Sequence, residues 1–242
     1  TPFIARSAII YAARVLSGRD MQQNGGALRP LTIITRPGSM FEPGWNAAVA
    51  AGNHETSARI VDAVFRAMER VIPTRLSAGG PTTSGLLSFA EPRADGTWKF
   101  LYEVHGGGEG ARHDREGCPA VRVHLTNTSN TPAEVIETTC ALRVEQQSIR
   151  RGSGGAGAFR GGDGVIRSYR VLADEMYLTT CVERMRVPPY GMHGGESGAP
   201  FRVILERDGA EMELNGKDNF VLGAGDLVTM QSGGGGGFGP VP

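Results

Sequence analysis

The residues best suited to chemistry in this chain gather where a strand-like run meets a glycine loop. His105 ends the run Thr97 to His105 and leads into Gly106-Gly107-Gly108-Glu109-Gly110-Ala111, with Arg112 and Asp114 just beyond. A general base must lie within hydrogen-bond reach of the reacting proton and titrate near working pH, which puts histidines and environment-shifted carboxylates first. His105 and Asp114 are therefore the candidate catalytic residues, with Gly107, Gly108 and Arg112 as neighbouring substrate contacts. The plainer role for a strand-end histidine is a bond to a backbone carbonyl, and for glycines a tight turn. A second constellation, Asn53-His54-Glu55, opens a helix, where a positive dipole end suits a carboxylate or phosphate. Asn53 and Glu55 are candidate substrate contacts there, and helix capping is the competing role.

Other reactive side chains point to less. Ser153 lies between glycines but lacks the strand-turn-helix setting of a nucleophile elbow. Cys118, Cys140 and Cys181 are widely spaced, which signals neither a zinc knuckle nor a disulfide framework and favours a reducing compartment. Arg150, Arg151 and Arg160 flank the central glycine loops, where solvated or ion-paired arginines are the commoner outcome. No glycine segment continues into Gly-Lys-Ser/Thr, so an ATP site formed by this chain alone is not expected, and metal ligands at a recognised spacing are missing from the sequence.

The elements that must position these groups follow from periodicity. Thr1 and Pro2 open a helix predicted to run to Ser17 and stop at Gly18. Ile60, Val61, Val64, Phe65, Met68, Val71 and Ile72 place a second helix after Asn53, ended by Pro73. Leu31 to Thr35 reads as a short strand between them. Further on, strands are predicted at Thr97 to His105, Ala120 to Thr126, Ala141 to Ser148, Val165 to Leu172, Met176 to Val182, Phe201 to Glu206, Glu211 to Asn215 and Asp226 to Gln231. The expected fold class is α+β: two N-terminal helices, then a predominantly antiparallel, glycine-loop-rich β domain. The expected division is a helical segment over 1–77 that packs on a β-rich domain over 78–242. Of 242 residues 36 are glycine, about twice ordinary usage. Lys+Arg and Asp+Glu balance at 25 each, which argues against nucleic acid or an anionic membrane surface as partner. No apolar stretch approaches the ~20 residues of a membrane span, and the chain reads as cytoplasmic.

The order of the glycine segments is more specific than any one of them. Ala51-Gly52-Asn53-His54-Glu55-Thr56-Ser57, Gly107-Gly108-Glu109-Gly110-Ala111, Thr131-Pro132-Ala133-Glu134, Ser153-Gly154-Gly155-Ala156-Gly157, Pro189-Tyr190-Gly191-Met192-His193-Gly194-Gly195 and the run Gly233 to Gly237 follow one another along the chain. In that order they resemble the hydantoinase B / oxoprolinase family. Departures are Asp114-Arg115-Glu116-Gly117, where the family has Asp-Gly sooner, and Phe238-Gly239-Pro240, where Gly-Asp-Pro is commoner.

The resemblance implies the C-terminal half of a B subunit of an ATP-dependent cyclic-amide hydrolase of the hydantoinase or 5-oxoprolinase type. It implies a hydantoinase-A-like ATPase partner that binds ATP and Mg and activates the amide oxygen, and an N-terminal half of the B subunit that carries any divalent metal. A cyclic amide would be the substrate. A ketone is the alternative, in a carboxylase of the acetone or acetophenone type, and a non-catalytic assembly module is the third reading.

Overall fold

The structure is a computed structural model that describes residues 1–18, 21–22 and 24–242. Helix α1 (Pro2–Ser17) begins with proline at its first position and ends where Gly18 turns left-handed at φ 61 and returns its N–H to the Val15 carbonyl. Its buried face is Ala5, Ala8 and Ala12, small enough to admit α2 (Ser57–Met68), which buries Val61 and Phe65. A single π turn, Gly52–Thr56, precedes α2, and the Ser57 hydroxyl donates to the Asn53 carbonyl at 2.6 Å. Asn53 thus serves α2 through its backbone carbonyl, and its side chain is exposed. Leu31 to Thr35, expected as a strand, is irregular. It lies between Pro30 and Pro37 and finds no ladder partner among the described residues.

Among the described residues nine strands follow, in two antiparallel sheets. β1 (Leu86–Pro92), β2 (Trp98–Glu103), β5 (Met176–Cys181) and β8 (Lys217–Leu222) form one sheet in the order β2-β1-β5-β8. β3 (Leu142–Arg150), β4 (Gly164–Val171), β6 (Arg202–Arg207), β7 (Ala210–Glu213) and β9 (Leu227–Gln231) form the other in the order β3-β4-β9-β6-β7. Alternate residues of the two sheets face one another in a single core. Leu87, Phe89, Leu101, Met176 and Leu178 meet Leu142, Tyr169, Val171, Val203, Leu205, Val228 and Met230. Helix α3 (Ala133–Thr139) adds Ile136 to that core. The expected α+β class with a mostly antiparallel β part is the observed one.

Four further elements differ from expectation. The Ala120 to Thr126 segment is not a strand, because Ala120 and His124 take φ +55 and +60, outside the extended region. β1 and β8 are strands that periodicity did not announce, and α3 grows from the Thr131-Pro132 segment. A buried ion pair ties this last segment to the sandwich. Arg167 Nη1 donates to Glu103 Oε1 at 2.7 Å, and Nη2 donates to the Thr131 carbonyl at 2.6 Å.

Between the sandwich and the helices lies a layer of glycine segments held by backbone bonds. The run 233–237 threads its middle: Gly108 N–H donates to the Gly233 carbonyl, Gly235 to Gly162, Gly236 to Gly79 and Gly237 to Glu196, all at 2.8–2.9 Å. Gly235 shows why glycine is required here, since a Cβ on it would lie 1.9 Å from the Glu109 carbonyl oxygen. A Cβ on Gly108 would lie 1.8 Å from that of Gly162. Neither residue has positive φ, so the demand is for close approach of backbones. On the helix side of the layer a second core joins Ala8, Ala12, Val61, Phe65 and Leu76 to Ala78, Ala111, Met192 and Phe238. No helix among the described residues is long and apolar enough to cross a membrane.

Candidate functional site

His105 lies two residues beyond the end of β2 and is fully buried. Its Nδ1 lies 2.6 Å from the Gly85 carbonyl, which can only accept, so Nδ1 carries the proton; Nε2 then accepts from the Tyr169 hydroxyl at 2.8 Å. Burial pushes its pKa down to about 4, so the ring is neutral at pH 7. Asp114 sits exposed at the tip of a turn in which Arg112 N–H donates to the Arg115 carbonyl, with His113 Nδ1 at 3.7 Å as its ionic neighbour. His105 and Asp114 share no hydrogen bond or ion pair. Gly107 and Gly108 are buried, and their N–H groups already donate to the Val121 and Gly233 carbonyls. Arg112 reaches Glu109 Oε1 through Nη2 at 3.4 Å, while its Nε is buried without a partner. Asn53 is exposed.

Glu55 has the most telling surroundings. The π turn before α2 carries it inward, where Oε1 accepts from the Ser84 N–H at 2.7 Å. Its other oxygen, Oε2, is buried and has no hydrogen-bond partner. An acceptor left so is costly, and it marks a place where a donor is wanted. Glu55 also lines a cavity of about 840 Å³ under the 38–52 segment, with apolar walls from Met40, Phe41, Val49 and Ile60 and polar ones from Arg59, Cys181, Glu183 and Lys217. Beside it, His54 Nδ1 lies 2.6 Å from Ser84 Oγ and 3.4 Å from Glu55 Oε1, and Nε2 lies 3.2 Å from the Tyr102 hydroxyl. Arg122 Nη1 donates to the Ser84 and His105 carbonyls at 3.0 and 3.1 Å, bridging this cluster to the strand end. Below it, a buried ion pair of Arg184 with Asp62 fixes α2 to the segment after β5. Burial raises the Asp62 carboxyl and lowers the Arg184 guanidinium from their ordinary pKa values.

The structure thus brings together Glu55, His54, Ser84, Tyr102 and Arg122. Sequence reasoning reached Glu55 through the helix start, and missed Ser84, Tyr102 and Arg122 because they are 29 or more residues away from it and no motif joins them. Among the described residues no group of three or more His, Cys, Asp or Glu is placed to hold a metal ion.

With this geometry in place, comparison with known proteins decides the lineage. The family model described as Hydantoinase B/oxoprolinase matches residues 1–241. The chain belongs to the hydantoinase B/oxoprolinase family. An uncharacterized protein of Methanocaldococcus jannaschii is 38% identical over 95% of this chain and 40% of its own length. A 5-oxoprolinase of Dictyostelium discoideum is 32% identical over 98% of this chain and 18% of its own. Among solved structures, the ATP-dependent caprolactamase from Pseudomonas jessenii shares the fold at a TM-score of 0.81 and 21% identity, over 98% of this chain and 43% of that one. This hydantoinase B/oxoprolinase chain therefore spans well under half the length of these relatives.

Proposed function

We propose that the chain forms part of the B component of an ATP-dependent hydrolase of cyclic amides, and that the Glu55 cavity receives the amide. The observation that carries this is the buried, unpartnered Glu55 Oε2 in a residue lining a large, mostly apolar cavity. A cyclic amide brings an N–H donor on an apolar ring, the complement of that wall. Its opening requires water to attack the carbonyl carbon, and the carbonyl oxygen must gain electrophilic help. Phosphorylation of that oxygen is assigned to a hydantoinase-A-like partner that binds ATP and Mg; any divalent ion is assigned to the front half of the B subunit.

In this reading His54, next to Glu55 and held between Ser84 and Tyr102, exchanges the Tyr102 hydroxyl for water, takes its proton as the C–O bond forms and returns it to the ring nitrogen as the C–N bond breaks; a second water then releases the phosphate from the acyl group. Glu55 Oε1 and Arg122 fix the Ser84 backbone that orients it. His105, buried and fully bonded, positions the strand end, and its carbonyl is the one Arg122 grips. Asp114 is exposed in the Arg112–Arg115 turn and Arg112 lines a different cavity, so their part in turnover is read from substitution in the complete assembly. Ketone carboxylation, the other family chemistry, offers no N–H for Glu55.

The test is turnover of a complete B subunit with its ATPase partner, measured as phosphate release with and without a cyclic amide. Release that depends on the amide, with ring-opened product in equal amount, supports the reading. Glu55→Gln is expected to raise KM for the amide about tenfold or more, the weight of one charge-assisted hydrogen bond. Phosphate release that depends on a ketone and bicarbonate, and ignores cyclic amides, would overturn it.

A further inference from the structure

A second cavity, of about 270 Å³ and sharing no lining residue with that of Glu55, lies between the two helices and the glycine layer. By the ~30 Å³ that each molecule occupies in liquid water, it has room for about nine waters or one ring-sized molecule. Three of its lining residues each hold a buried nitrogen without a hydrogen-bond partner: Arg112 Nε, Arg122 Nε and His124 Nε2. Orphaned nitrogens are rare in a folded protein, and three around one cavity are not accounted for by any hydrogen bond among the described residues. Arg122 is held in place by its bonds to the Ser84 and His105 carbonyls. His124 is fixed by its backbone at φ +60 and by edge-on contacts to Tyr11 and Phe65, with ring centroids 5.8 and 5.3 Å away.

The remaining walls define what would fit. Arg75, Arg112 and Arg122 face a single carboxylate, Glu109, so positive charge is in excess. Tyr11, Val15, Phe65, Val121 and Val123 make an apolar wall. Nitrogen donors with a positive excess suit an oxyanion, and an apolar wall suits a hydrocarbon body. A free inorganic phosphate would leave that wall without a partner. Burial and the nearby Arg112 and Arg184 push His124 down to about 4, so at pH 7 its ring is neutral and carries one N–H.

We infer that this cavity is a binding site for a small organic carboxylate, whose oxygens satisfy Arg112, Arg122 and His124 and whose apolar body lies against Tyr11, Phe65 and Val123. It is a separate cavity from that of Glu55. Whether the carboxylate arrives on an acidic substrate or is the one created by ring opening rests on the cyclic-amide reading; the site itself does not.

Calorimetric titration of the whole chain tests it with benzoate and its neutral counterpart benzamide, at constant ionic strength. Benzoate is expected to bind at least tenfold more tightly than benzamide. Arg112→Gln, whose native side chain bonds only Glu109 among the described residues, should remove that preference while leaving the melting temperature near that of the wild type. In a second readout, benzoate should raise the pH at which the His124 ring titrates by NMR. Equal binding of the two probes, or an unchanged preference in a folded Arg112→Gln protein, overturns the inference. The source is then read from 5-oxoproline against 5-aminopentanoate: tighter binding of the first assigns an acidic substrate, of the second a ring-opened product. Binding of neither, where benzoate binds, refutes the link to the reaction. Because these are binding measurements, they can fail while amide-dependent phosphate release stands, or succeed where it fails.

Discussion

The β sandwich and the glycine layer are held together by opposite means. In the sandwich, side chains such as Phe89, Leu178, Tyr169 and Met230 fill the space between two sheets, and the backbones stay apart. In the layer, backbones approach until a single Cβ would collide, and the glue is a set of N–H to carbonyl bonds between segments far apart in sequence. A core of side chains tolerates a smaller residue by partial collapse. A core of backbones tolerates no larger one. The Arg112 cavity lies against the second kind, with Gly80 and Gly110 in its wall, and the His105 strand end runs straight into Gly106 and Gly107.

The sharpest way to break this contrast is Gly235→Ala. With the Glu109 oxygen 1.9 Å from the new methyl, neither backbone can yield without losing bonds. The expected cost exceeds about 4–5 kcal/mol, the exceptional end of single substitutions, and little folded protein should be recovered. In the sandwich, Phe89→Ala should cost about 3–5 kcal/mol, seen as a lower denaturant midpoint in a chain that still folds. Arg167→Met should cost about as much, because it leaves the Glu103 carboxylate buried with its charge uncompensated. If Gly235→Ala proves milder than Phe89→Ala, the layer is looser than described.

Acid tests both regions at once. His105 and His124 are held neutral, with pKa values near 4 against an ordinary 6.5. Below about pH 6.5 the unfolded chain takes up protons that the folded one refuses, so stability falls as pH drops from 6.5 to 4 and levels off beyond. Each histidine contributes at most about 3 kcal/mol to that fall. Melting curves at pH 7 and pH 5 should show a smaller loss in His124→Asn, whose new residue accepts the left-handed backbone, than in the wild type. The smallest effect is expected at Gly44, where a Cβ meets nothing within 4 Å. Gly44→Ala should change stability by no more than about 0.5 kcal/mol, which separates the glycines that are required from those that are only turns.

The same contrast explains what could be read from the sequence. Helix α1 was legible to the residue, since Pro2 and Gly18 mark its ends chemically. Most strands were legible from alternation, as in β5, where Met176, Leu178 and Thr180 face inward. β8 was not, because it lies at a sheet edge and its Lys217-Asp218-Asn219 start is exposed. Val121, Val123 and Leu125 alternate like a strand, yet Ala120 and His124 bend the chain out of it. The glycine segments could be counted but not assembled, since a residue without a side chain carries no periodicity. The site shows the same limit: Glu55 is marked by a helix start, whereas Ser84 and Tyr102 meet His54 only through the fold.

Hydrogen exchange across Gly233 to Gly237 tests most directly whether the glycine layer is a packed core that positions the sites. The account predicts that the N–H groups of Gly235, Gly236 and Gly237, bonded to Gly162, Gly79 and Glu196, exchange as slowly as those of the central strands β4 and β9. Exchange as fast as in the exposed turn at Asp208 and Gly209 would contradict it.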